Sequence, residues 1–169
     1  MKLAQADNVQ KLILSEDIYN GVAKILRELT ANTGAKTVVF CESNGYPVTH
    51  VGDTKGMDLQ AISALAANNF SATAKMASMF GEGSGFKYVF LEGHDTNIYI
   101  SDVGFNFILL VIFDASIALG MIRIFTKKAI GSLSELLASA KEDEQKSSQF
   151  LDLEFKTLLS EELDRSLKL

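Results

Sequence analysis

The chain has 169 residues, a formal net charge of −5 and a single cysteine. A chain of this length supplies one domain with its own core and a further extension, and it needs no disulfide or metal ion for stability. The acidic balance, with no basic face that carries interleaved aromatic residues, argues against nucleic-acid binding.

The first part of the chain predicts an extension followed by a helix. Residues 1–14 carry no long apolar core and no small-residue cleavage site, so we expect no signal peptide. Ser15, followed by Glu16 and Asp17, is typical of a helix N-cap, because acidic side chains favour the positive end of a helix. Gly34 is suited to end this helix. Its apolar stripe comprises Ile18, Val22, Ile25, Leu26 and Leu29.

Two short strands are predicted next, "KTVVFCE" and "YPVTHVG", joined by the hairpin signal "SNG". Cys41 lies in the first of them. A lone cysteine forms no internal disulfide, which fits a reducing compartment. Its apolar surroundings in the sequence favour a small core residue over a reactive thiol.

A long helix is predicted over about residues 57–80, and one of its faces is unusual. Large apolar residues, with Phe70 and Met76 among them, supply one side of this helix. The other face is small and nearly uncharged, whereas exposed helix faces normally carry Glu, Lys and Arg. Asn68 and Asn69 are poor helix formers, so helix propensity alone does not explain the segment. The small residues at steps of three and four are Ala64, Ala67, Ser71, Ala74 and Ser78.

The segment "GEGSG" ends this helix, and three strands and a last helix follow it. The strands are "FKYVFLE", "TNIYISDV" and "FNFILLVIFD", and the helix is predicted from about Ser116 to Ala140. Asp114 interrupts the most apolar segment, residues 106–122, whose uninterrupted part is far shorter than the ~20 residues that cross a bilayer. We therefore expect no membrane span and a cytoplasmic protein. Asp114 is expected to form a turn with Ser116.

The order of elements predicts an α+β fold. Hairpin-linked strands form antiparallel sheets, so we expect an α/β sandwich in which helices flank a five-stranded antiparallel sheet, over residues 15–140. The polar segment "KEDEQKSSQ", residues 141–149, lacks apolar periodicity and is interpreted as a linker. Residues 150–169 are apolar again and are interpreted as a separate amphipathic docking segment.

No catalytic or metal-binding constellation is visible in the sequence. His50 and His94 have no nearby histidine or cysteine, so the spacing of a zinc site is missing. The chain lacks both the G-x-S-x-G and the G-x-x-x-x-G-K-[ST] motifs. The glycines of "GEGSG" follow a helix, whereas phosphate-binding loops precede one. We expect no catalytic residue, no metal and no cofactor.

Three stretches carry a family resemblance: "GAKTVVFCESNGYPVTHVG", "DLQAISALAANNFSATAKM" and "FILLVIFDASIALGMIRI". With the order of elements over residues 16–140, they make the sequence similar to the roadblock/dynein light-chain family. Within that family it resembles the bacterial gliding-motility and cell-polarity members. The resemblance implies a homodimer in which the central helices and the strands after them join. It also implies that two subunits bind one small Ras-like GTPase of the MglA type.

Three interaction surfaces are expected. The small face of the long helix would dock the GTPase, through Ala64, Ala67, Asn68, Ser71, Lys75 and Ser78. The strand "FKYVFLE" is apolar and would invite aggregation as an unpaired edge, so we assign Phe86, Tyr88 and Phe90 to the dimer interface. The tail needs a surface to fold against, either its own sheet or, as the resemblance implies, a second contact on the GTPase. The tail residues on one helical face are Phe155, Leu158, Leu159 and Leu163.

The expected function is to raise GTP hydrolysis by a partner without being an enzyme. Arg27 and Arg123 are predicted within helices and Arg165 lies in the tail, so none suits the role of an arginine finger. Two alternatives remain. A non-activating scaffold would bind the GTPase without accelerating it, and a small-molecule sensor or enzyme would need a pocket with convergent polar groups.

Overall fold

The computed structural model describes residues 14–83 and 85–167, which form three helices and five strands in the predicted order. The α+β class is confirmed. Residues 1–13 of the predicted N-terminal extension lie outside the described residues. The elements are α1 (Glu16–Thr33), β1 (Thr37–Glu42), β2 (Pro47–Gly52), α2 (Leu59–Met79), β3 (Tyr88–Leu91), β4 (Thr96–Gly104), β5 (Phe107–Asp114) and α3 (Leu119–Leu167).

The five strands form one antiparallel sheet in the order β2-β1-β5-β4-β3. Strand β5 lies in the centre and is buried from Phe107 to Phe113, which explains its uninterrupted apolar sequence. It pairs with β1 on one side, as in Val39 opposite Leu110, and with β4 on the other, as in Ile100 opposite Leu110. Strands β2 and β3 are left at the two edges.

Helices cover both faces of the sheet, so the molecule has three layers. Successive side chains of a strand point to opposite faces. Accordingly Val38 and Phe40 pack with α1 and α3, whereas Val39 and Cys41 pack with α2. Helices α1 and α3 also contact each other, while α2 is alone on its face within the described part of the chain.

The predicted start and end of α1 are confirmed in atomic detail. The Ser15 hydroxyl accepts a hydrogen bond from the Ile18 amide at 3.4 Å. Gly34 ends the helix with φ of +69°, a left-handed conformation that glycine adopts without steric cost, and its amide donates to the Thr30 carbonyl at 2.9 Å.

The last helix was expected to end near Ala140 and to be followed by a linker. This prediction is wrong, because the residues of the expected linker are helical. Helix α3 runs unbroken for 49 residues, through 141–149 and into the tail. At 1.5 Å per residue it is about 70 Å long. The segment contains no glycine or proline after Gly131 and is rich in Lys, Glu and Gln, which are good helix formers. Residues 141–149 lack apolar periodicity because this part of the helix extends beyond the domain and covers no surface of it.

Asp114 forms the predicted turn with Ser116 at the end of β5. Its Oδ1 accepts hydrogen bonds from the Ser116 amide at 3.0 Å and from the Ser116 hydroxyl at 2.7 Å. These bonds, with a smaller contribution from Lys36, lower the pKa of Asp114. The side chain is exposed and is used by the turn, so it has a structural role.

Candidate protein-binding site

Helix α2 lies on the sheet through small side chains. Asp58 caps the helix by accepting a hydrogen bond from the Ala61 amide at 3.0 Å. Ala66 and Ala67 are buried against the sheet residues Val39 and Ile100. Such short side chains allow the helix backbone to lie close to the strands.

Two residues of the predicted docking face are therefore wholly or partly buried. Ala67 is only 6% exposed and packs on the sheet, so its assignment to an exposed face is wrong. Ala64 is half-buried beneath the β1–β2 turn, where a Cβ atom on Gly45 would lie 2.7 Å from the Ala64 Cα. Spacing of three and four residues shows that side chains share one face of a helix. It does not show whether that face is exposed, because small residues occur in both buried and exposed positions.

The remaining members of the predicted docking face lie together on the exposed side of α2. Asn68, Ser71, Lys75 and Ser78 are all exposed. The Ser78 hydroxyl donates to the Lys75 carbonyl at 2.7 Å, so it is already satisfied within the helix. Lys75 is the one charged residue between Leu59 and Met79. This exposed face therefore has little charge to desolvate when another protein approaches.

A second exposed surface of α2, which we call the apolar flank, carries large side chains. Met76, expected on the same side of the helix as Phe70, is exposed, whereas Phe70 is half-buried against the sheet. Large apolar residues on a helix resemble core in a sequence, so no local signal distinguishes them. Patches of this kind mark interaction surfaces. The apolar flank comprises Leu65, Met76, Met79 and Phe80.

A cavity of about 280 Å³ lies between α2 and the strands β3 and β4, beside the apolar flank. Leu65, Leu91 and Ile98 line it, together with Asn69. The Asn69 Oδ1 atom is buried and accepts no hydrogen bond from any described residue. The cavity is thus lined mainly by apolar side chains, and the Asn69 Oδ1 atom is a polar group in it without a partner among the described residues.

The edge strand β3 uses its side chains within its own domain. Tyr88 stacks on Tyr99 with ring centroids 4.8 Å apart, and Phe90 stacks on Phe113 at 6.3 Å. Phe86, just before the strand, is exposed. Of the three residues predicted for the dimer interface, Phe86 has a free side chain, whereas Tyr88 and Phe90 offer mainly the backbone of the strand. Strand β3 pairs only with β4 among the described strands, so its outer edge is open.

The four predicted docking residues of the tail share one exposed surface of the α3 extension. Phe155, Leu158, Leu159 and Leu163 are all exposed, and their spacing places them on one helical face. Burial in α3 ends much earlier, at Leu137. As far as the structure describes it, the tail does not fold back on the sheet.

The described residues offer no cluster of metal-binding side chains. They contain no group of His, Cys, Asp and Glu that could hold a metal ion, and His50 and His94 are exposed. Burial raises the pKa of the Cys41 thiol to about 11, so it is not a nucleophile at neutral pH. Within the same part of the chain, no helix is long and apolar enough to cross a bilayer.

Comparison with known proteins agrees with this geometry. A family model described as the Roadblock/LC7 domain matches residues 21–113. The structure of Myxococcus xanthus MglB is 30% identical, with a TM-score of 0.71, covering 76% of this chain and 96% of that one. The gliding protein MglB of Thermus thermophilus is 24% identical over the same shares, with a TM-score of 0.69. An uncharacterised protein of Aquifex aeolicus (strain VF5) is 25% identical over 153 residues, 88% of this chain and 92% of its own length.

Proposed function

The chain belongs to the Roadblock/LC7 family and resembles MglB, and from this premise we propose that it is a homodimeric regulator of a small Ras-like GTPase. In this proposal it activates GTP hydrolysis by a GTPase of the MglA type. Two subunits bind one GTPase, and the dimer is not itself an enzyme.

The exposed, nearly uncharged face of α2 is the observation that carries the proposal. Asn68, Ser71 and Ser78 are short or polar side chains on a rigid helix. Ordering short side chains on binding costs little conformational entropy, and their size allows a partner to approach the helix closely. A surface of this kind suits a folded protein partner.

The dimer is supported by two features at one side of the domain. The open edge of β3 could pair with the β3 of a second copy, which would remove an aggregation-prone edge. The apolar flank and the 280 Å³ cavity adjoin this edge, and a second α2 would cover them. Two α2 helices side by side would then present their small faces as one platform, which is why one GTPase takes two subunits.

The proposed activation uses no arginine finger from this protein. An arginine finger contributes ~10³–10⁵ in rate. Arg27 and Arg123 lie on α1 and α3, across the sheet from α2, and Arg165 is in the tail beside Glu162 at 3.8 Å. The GTPase therefore supplies its own catalytic groups, and this protein orders its switch regions.

Single-turnover hydrolysis of GTP by a purified MglA-type GTPase, with and without the full chain, tests the proposal. We expect acceleration by the wild-type protein and equal acceleration by the Arg27→Ala and Arg123→Ala variants. Binding without acceleration would support the scaffold alternative instead. Loss of acceleration in either variant would show that the protein does supply an arginine.

The α3 tail is proposed to make a second contact on the GTPase, away from the platform. Residues 141–169 contain eight acidic and five basic residues, so a basic patch on the partner would suit them. Such a contact adds affinity, or acts on nucleotide exchange, without touching the switch regions.

Deletion of residues 146–169 should leave the dimer folded and weaken GTPase binding or stimulation, because this segment packs on no other part of the described chain. Light scattering and titration with the GTPase measure the two effects. The substitution Leu158→Glu should reproduce the loss. Leu153→Glu, on the opposite face of the helix, is its matched control. Unfolding of the truncated protein, or unchanged binding and turnover, would exclude a docking role.

A further inference from the structure

A second and larger cavity lies on the opposite face of the sheet from the α2 site. It measures about 510 Å³, is open to solvent on one side, and is lined by the first turns of α3 and by residues of β3 and β4. Cavities of roughly 300–1,000 Å³ are the usual size of small-molecule sites. No surface proposed above for the GTPase uses its interior.

Three basic side chains converge on this cavity although the protein carries a net charge of −5. Arg123 and Lys127 are four residues apart on α3, and Lys87 lines the cavity from the residue just before β3. Like charges at this helical spacing destabilise a helix, so their placement is unfavourable by itself. None of the three forms an ion pair with any described residue. An anion in the cavity would relieve the repulsion.

The floor of the cavity is polar and buried. Tyr99 and Ser101, alternate residues of β4, both line it and are only 4% and 1% exposed. Burial raises the pKa of Tyr99 and outweighs the opposing effects of Ser101 and Arg123, so the hydroxyl stays protonated at neutral pH.

The guanidinium at the cavity is held in place before any ligand binds. The Arg123 guanidinium carbon lies 5.0 Å from the centroid of the Tyr88 ring, which itself stacks on Tyr99. A guanidinium fork presents several donors in a fixed geometry that matches phosphate oxygens, and lysine adds compact positive charge. Less conformational freedom is lost on binding when the donors are already oriented.

We propose that this cavity binds a small phosphorylated ligand, whose phosphate is held by Arg123, Lys127 and Lys87 above the hydroxyls of Tyr99 and Ser101. Three cations favour a multiply charged phosphate over a single carboxylate. The apolar walls, which include Ile124 and Ile130, accept the body of the ligand. The ligand class is thus a phosphate ester with an apolar or ring-containing group.

The position of the cavity gives the ligand a route to regulation, a consequence that rests on the proposed function. The site faces away from α2, so it can be filled while a GTPase is docked. Tyr88 begins the strand proposed to pair in the dimer and Lys87 directly precedes it, so ligand binding would bear on that pairing.

Calorimetric titration of the full chain, without any GTPase, tests the site with inorganic pyrophosphate and ADP as probes. We expect both to bind, with ADP the tighter of the two. Arg123→Gln and Lys127→Gln should each weaken binding about tenfold or more, the usual size of a lost hydrogen bond to a charged group. Lys128→Gln is the matched control, because it removes the same charge from the next residue of α3. The Lys128 side chain lines a different cavity, between α3 and α1. This substitution should change the affinity less than about twofold, since a screened surface charge contributes little.

The Tyr99→Phe variant is a second measurement that leaves the charge unchanged. It removes the hydroxyl but keeps the ring stacked on Tyr88, so it should weaken pyrophosphate binding while the fold is retained. Absence of binding at millimolar probe concentration would overturn the proposal. An equal loss in Lys128→Gln would also overturn it, because it would show general charge attraction instead of a site.

Discussion

Replacing Ser71 with arginine should abolish binding of the GTPase while the dimer stays folded. Ser71 is exposed in the middle of the face on which the partner is proposed to sit. A long cation there prevents the close approach that the short side chains permit, and it must also be desolvated at the interface. We expect affinity to fall at least about thirtyfold, the effect of losing a hot-spot contact.

The Ser71→Arg experiment needs a control for the added charge. Ser139 is an exposed serine on α3 whose hydroxyl donates a hydrogen bond to the Leu136 carbonyl of its own helix at 2.8 Å. Ser139→Arg makes the same change on the other side of the sheet and should bind the GTPase normally. If Ser71→Arg stimulates hydrolysis as the wild type does, the α2 face is not the docking surface.

Replacing Leu65 with glutamate should convert the dimer into monomers. Leu65 is 67% exposed in the single chain, so the change costs the fold of the domain little. In the proposed dimer the side chain is covered by a second copy beside the 280 Å³ cavity, where an unpaired carboxylate is strongly unfavourable. Light scattering should show a mass near that of one chain, 18.4 kDa. GTPase stimulation should disappear with the dimer.

Leu153 provides the matched control for Leu65→Glu. It is a leucine in the α3 tail that is 65% exposed, so Leu153→Glu changes the same chemistry at the same exposure. That variant should remain dimeric. A monomeric mass for the wild-type protein at micromolar concentration would contradict the dimer itself, and a dimeric Leu65→Glu variant would place the interface elsewhere.

Comparison of α2 with the sequence prediction shows where local patterns stop being informative. The helix was predicted over about 57–80 and is observed at Leu59–Met79. Its orientation was only partly predicted, because Ala67 is buried and Met76 is exposed. Periodicity identifies which residues share a face. Which face is buried depends on how closely α2 lies to the sheet. The small residues on the sheet side of α2, Ala66 and Ala67, set that distance here.

The basic cavity illustrates a different limit. Arg123 and Lys127 are visible in the sequence as a pair four residues apart, but Lys87, Tyr99 and Ser101 come from two other elements. They meet only because β3 and β4 pair at the sheet edge beneath the start of α3. A sequence search for convergent polar groups fails when the groups are brought together by strand pairing.

By itself, the sequence determined the order of elements, the α+β class, the cap of α1 and the turn at Asp114, because these depend on interactions between near neighbours in the chain. Tertiary structure alone decided the orientation of α2, the apolar flank, the open edge at β3 and the convergence of the basic cavity. These four outcomes depend on contacts between residues far apart in sequence, which no local period encodes. The continuation of α3 beyond the domain combines both levels, because good helix formers extend a helix that is already nucleated on the sheet.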